Sequence, residues 1–82
     1  MITLAEALAV VREARGNCFD SYEEFVDLYL FFDNEELLTD GGLNAPVVIE
    51  KSTGILWGLS TFAIKFPKLL DDNNFLDAGM VA

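Results

Sequence analysis

The chain has no histidine, one cysteine, two prolines and only five cationic residues against 14 acidic ones, giving a formal charge of -9 over 82 residues. Each scarcity excludes something. Histidine is the usual general base near neutral pH and the commonest metal ligand, so its absence removes Ser-His-Asp and Cys-His catalysis and His-based zinc sites together. A carboxylate pair could still act as acid and base, but it needs a sugar-binding cleft and one carboxyl of raised pKa, for which so short a chain leaves little room. The chain therefore reads as a non-enzyme, with no catalytic residue, cofactor or metal site to assign. A single cysteine closes no internal disulfide, which makes a reducing cytoplasm the expected compartment. None of the five cations falls between Gly16 and Glu50, and five cannot make the basic stripe that supplies nucleic-acid affinity. Gly41-Gly42 lacks the following lysine and the strand-loop-helix setting of a phosphate loop. The longest uncharged run, Ser52 to Ile64, is 13 residues and cannot span a bilayer. Met1 to Glu6 carries a carboxylate where a signal peptide would be apolar. Neither nucleic acid nor membrane is an expected partner.

What is present is apolar enough to fold. Hydrophobic residues make up 52% of the chain and aromatics 12%, too much for disorder even at this charge, so one domain over residues 1–82 is expected. Thr3 followed by Glu6 forms a capping box, and Leu4, Leu8 and Val11 recur at helical spacing, widened by Ala7, Val10 and Ala14. Arg12 and Arg15 suit a helix C-terminus, and Gly16-Asn17 ends it, which predicts a helix over residues 4–15. Cys18 to Glu24 alternates loosely and Phe25 to Phe32 is dense in aromatic and branched side chains, favouring two extended segments. A short helix opened by a second capping box, Ser21 with Glu24, is the alternative. Read as one strand, Phe25 to Phe32 places Val26, Leu28, Leu30 and Phe32 on the face that should meet the helix. Phe25, Asp27, Tyr29 and Phe31 then lie on the other face, to be wet, covered by a loop or used for contact.

Asp33 to Asn44 reads as a polar loop with a helical turn at Asn34 to Leu38. Two strands, Ala45 to Glu50 and Ile55 to Ser60, flank Lys51-Ser52-Thr53-Gly54, whose glycine can take the positive φ that closes a hairpin. Pro46 belongs at a strand start or an edge. Beyond Thr61, Phe62 to Phe66 is apolar without a clear period, and Pro67 fits the first residue of a short helix reaching about Asp71. The tail 75–82 has no period and is expected to fray or dock loosely.

Charge is segregated along the chain. Asp20, Glu23, Glu24, Asp27, Asp33, Glu35, Glu36, Asp40 and Glu50 meet no lysine or arginine between Asn17 and Glu50, whereas elsewhere five acids balance five bases. A solvated acidic surface is one reading; a patch whose self-repulsion a cationic partner relieves is the other. Trp57 is either an interface anchor or core, Cys18 a reactive thiol or an inert buried one. Asp71, Asp72, Asn73, Asn74 and Asp77 suggest a calcium loop, but Phe75 takes a ligand position and the required glycine is missing, so a solvated cap fits better.

Met1 to Leu8, Tyr29-Leu30-Phe31-Phe32 with Asp33 to Gly41 after it, and Asn44-Ala45-Pro46-Val47-Val48-Ile49-Glu50-Lys51-Ser52-Thr53-Gly54 together resemble the immunity protein 35 family of bacterial polymorphic-toxin systems. The match covers about residues 1 to 61, and its most specific part is the Asn-Ala-Pro strand running into a Lys-x-Thr-Gly turn. The resemblance implies a small domain with an N-terminal helix against an antiparallel sheet, and the binding and blocking of a cognate protein toxin. It supplies no catalytic motif.

The expected architecture is α+β: an N-terminal helix on an antiparallel sheet of three to five strands, with a short C-terminal helix. The expected function is inhibition by binding, as a monomer or homodimer, of a toxin with a basic surface. Glu23, Glu24, Asp27, Asp33, Glu35, Glu36 and Asp40 would supply the charge, and Tyr29 and Phe31 the aromatic contact. Two other readings remain: a chaperone-like or self-associating module using Phe25, Tyr29 and Phe31, and a nucleic-acid mimic whose carboxylates are spaced like phosphates.

Overall fold

The computed structural model describes residues 1–16, 19–33 and 46–81. The helical turn expected at Asn34 to Leu38, the Gly41-Gly42 loop and Cys18 lie outside the described residues. Helix α1 spans Leu4–Arg15, as the spacing predicts. The Thr3 hydroxyl accepts from the Glu6 N–H at 3.2 Å, and the Glu6 carboxylate accepts from the Thr3 N–H at 3.0 Å, so two otherwise orphaned donors are satisfied. At the far end Gly16 takes φ 74° and donates its N–H to the Arg12 carbonyl at 2.9 Å.

Among the described residues five antiparallel strands follow: β1 (Ser21–Phe25), β2 (Leu28–Phe32), β3 (Val47–Glu50), β4 (Leu56–Gly58) and β5 (Phe75–Met80), in spatial order β4-β3-β2-β1-β5. The fold is α+β. The stretch read as one strand from Phe25 to Phe32 is cut at Val26-Asp27, which turn β1 back onto β2. Both turn residues are tied down, the Val26 N–H donating to Asn74 and the Asp27 carbonyl accepting from Lys51, each at 2.9 Å. The turn lets Phe25 and Leu28 share one core instead of facing opposite ways. Ser21 begins a strand paired on both sides, so no helix opens there. Between β3 and β4, Gly54 takes φ 73° and closes the expected hairpin by donating to the Glu50 carbonyl at 2.8 Å.

The sheet is covered on both faces, and the face assignment is the reverse of that expected. Helix α1 packs its Ala7 and Val11 on Tyr29, Phe31, Val47 and Ile49, while Leu28 and Val48 face the other side. There α2 (Leu59–Lys65) and a 3₁₀ turn (Pro67–Leu70) lay Phe62, Leu69 and Leu70 across Phe25, Leu28 and Val48. Both faces of β2 are apolar, so alternation separates them without telling which layer each one meets.

The strand expected over Ile55 to Ser60 ends at Gly58 and becomes α2. Trp57 holds that junction: its ring meets Phe62 and Phe66 edge-on at 6.0 and 5.8 Å, and its Nε1 donates to Glu50 at 3.2 Å. It is a half-buried core residue. The tail expected to fray is a strand: β5 pairs along β1 from Ser21↔Met80 to Phe25↔Phe75. A register shift between Glu24 and Phe25 interrupts the ladder, and such a bulge erases the two-residue period in sequence.

Candidate protein-binding surface

Glu23 and Glu24 are neighbours in β1 and therefore project to opposite faces of the sheet. Glu24 is on the α1 side, where Lys51 Nζ approaches its carboxylate at 2.7 Å. Lys51 is only 7% exposed and its ammonium also lies 4.8 Å from the centre of the Tyr29 ring, so its charge is committed to both neighbours. Across the ladder, Glu24 stands directly opposite Asp77 of β5. Like charges at such a pair repel. The Tyr22 hydroxyl donates to Asp77 at 3.1 Å, its ring lying so close over Gly79 that a Cβ there would come within 3.0 Å of it. Loss of solvent, and then the bond to Asp77, raise the Tyr22 phenol above its ordinary pKa. Tyr29 is raised too, first by burial and then by the nearby Glu24 charge, with Lys51 opposing.

On the opposite face Glu23 shares a shallow depression of about 350 Å³ with Leu30, Phe32, Pro46 and Leu59. Neither the carboxylate of Glu23 nor that of Asp27, in the β1-β2 turn, makes a hydrogen bond or ion pair among the described residues. Residues 34–45 contain no lysine or arginine, so they offer these carboxylates no cation. Asp33 follows the end of β2, and Glu35, Glu36 and Asp40 lie outside the described residues. Tyr29 and Phe31 do not form the contact surface expected of them: they are 5% and 0% exposed, beneath α1. The structure thus distributes the sequence-predicted residues over two faces and one end of the sheet, with Glu24 and Tyr29 adjacent across the β1-β2 ladder.

Sequence reasoning missed β5. Leu76 and Met80 are 56% and 67% exposed, and Phe75 is exposed on one side while its ring meets Phe25 edge-on at 5.8 Å. The signal was there in Phe75-Leu76-Asp77-Ala78-Gly79-Met80, an apolar run with one charge. Among the described residues, no group of three or more acidic or cysteine side chains is placed to hold a metal ion. Asp71 instead accepts from the Asn73 N–H at 2.9 Å and caps a 3₁₀ turn, Asp72–Asn74. No described helix is long and apolar enough to cross a membrane.

No family model, curated protein or solved structure matches the chain. The fold and surface define an α+β protein whose antiparallel sheet, among the described residues, has no strand beyond β5 and carries anionic groups on both of its faces.

Proposed function

We propose that the chain is an immunity-type inhibitor that binds a cognate protein toxin and blocks a basic surface on it, acting in a reducing compartment such as the bacterial cytoplasm. The observation that carries this reading is the pair Glu23 and Asp27, whose carboxylates on the central hairpin have no cation or donor among the described residues, in a chain of net charge -9. A carboxylate held at a sheet surface without a counter-charge favours any cation that docks there, and the wider field raises the encounter rate. The resemblance of residues 1 to 61 to immunity protein 35 supports the same class of partner. Tyr29 and Phe31 serve in this reading as the support beneath α1, not as contacts.

Co-expression provides the test. The C-terminal domain of the protein encoded beside this chain should arrest growth when expressed alone, and the chain should relieve the arrest. Exchange of Glu23 to Gln with Asp27 to Asn should weaken that relief without unfolding the protein. Growth arrest unaffected by the chain would defeat the proposal, as would binding indifferent to the double exchange.

A further inference from the structure

We propose that the outer edge of β5 receives an extended basic segment of the protein partner, as a sixth strand; this rests on the reading that the chain works by binding a protein. The sheet has two edges, and they differ. At one edge β4 is three residues long and closes immediately, the Leu59 N–H donating to the Pro46 carbonyl at 3.1 Å as the chain turns into α2. At the other, β5 runs six residues with most of its side chains exposed. It lacks the lysine or proline that commonly blunts such an edge.

The ladder fixes which groups are available. The Val81 N–H donates inward to the Asp20 carbonyl at 3.0 Å. Backbone groups alternate along a strand, so Asp77 and Gly79 also turn inward to β1 while the N–H and C=O of Ala78 and Met80 point out. A strand added antiparallel to β5 would bond to Ala78 and Met80, and its residue facing Asp77 would occupy a non-hydrogen-bonded position, where side chains approach most closely. That position is on the α1 side, beside two carboxylates set directly opposite each other, of which only Glu24 has Lys51. A lysine or arginine arriving there relieves the repulsion. On the reverse face the same strand would lay apolar side chains beside the exposed Met80. The occupant is therefore an amphipathic strand, cationic on one face and apolar on the other. A second copy of the chain pairing β5 on β5 fits less well, because it brings another charge of -9 and its own β5 holds no cation to set against Asp77.

A synthetic peptide of alternating lysine and valine, and a twin with glutamate for lysine, supply the probes for amide exchange and titration by NMR on the full chain. The lysine peptide should slow exchange at the Ala78 and Met80 amides, and the glutamate twin should not. Ala78→Pro removes an outward N–H that β1 does not use, and should weaken peptide binding by at least about tenfold with the β1-β2 signals unchanged. Should that variant unfold, Asp77→Lys decides instead: it should lose the lysine peptide by roughly tenfold and gain the glutamate twin. Peptide shifts that map elsewhere, or binding that survives both variants, overturn the proposal. A dimer that dissociates on Ala78→Pro would overturn it too, by giving the edge to a second copy. In the growth assay, relief retained by Ala78→Pro sinks the strand addition and spares the inhibitor reading. Absence of relief by the wild type, with peptide still docking on β5, does the reverse.

Discussion

Lys51 joins two neighbours through one group, because its ammonium pairs with Glu24 at 2.7 Å and lies 4.8 Å from the centre of the Tyr29 ring. Replacing it by methionine keeps the packing and strands a half-buried carboxylate opposite Asp77, so Lys51→Met should cost about 2–3 kcal/mol in denaturant unfolding. Adding Glu24→Gln should restore part of that loss; a double variant as unstable as the single one would mean that the packing, not the charge, was lost. At Gly79 the constraint is space. A methyl group there meets the Tyr22 ring and must push it off Asp77, so Gly79→Ala should destabilise by roughly 1–2 kcal/mol and shift the Tyr22 ring resonances. The tyrosines also set an alkaline limit. Both phenols are raised in the folded state, so the folded chain holds these protons more tightly than the unfolded one. Their contribution is complete below the ordinary value of 10.0 and is lost as pH climbs through the folded values above it. Melting temperature should fall in that window, with phenolate absorbance appearing later than in the denatured protein.

Among the elements, α1 was the most legible, since its start, stripe and stop are each encoded by residues close in sequence: Thr3 with Glu6, Ala7 with Val11, and Gly16. Thr3→Ala should cost about 1 kcal/mol, with Thr3→Ser recovering most of it in thermal unfolding. The β3-β4 hairpin was legible for the same reason, its turn being closed by Gly54 within four residues. What escaped the sequence depends on distant partners. The break at Val26-Asp27 is stabilised by Asn74 and Lys51, and the conversion of Leu59 to Lys65 into a helix by the edge-on contacts of Trp57 with Phe62 and Phe66. β5 was hidden by its bulge and by exposure of most of its side chains, which leaves no burial period to read. Of the candidate site residues, Glu23 and Asp27 have no counter-charge among the described residues, Glu24 is paired, and Tyr29 and Phe31 are interior, a division that depends on contacts distant in sequence.

At the scale of the molecule, two helical layers occupy the apolar faces of the sheet and leave the negative charge to be carried at its edge, its ends and the depression around Glu23. A patch of aromatic contacts would bind by burial and be nearly blind to salt; a field from dispersed carboxylates acts before contact and is screened over about 10 Å at 0.1 M salt. The two regimes separate in kinetics. With the proposed toxin partner, the association rate should fall by about tenfold or more between low and near-molar salt while dissociation changes little. Neutralising Glu23 and Asp27 together should flatten that dependence, because both are partly exposed and have no cation among the described residues, whereas Glu24→Gln should act mainly on stability through Lys51. An association rate unmoved by salt, followed by stopped flow, would transfer the burden of recognition from the charge to the exposed apolar residues of β5.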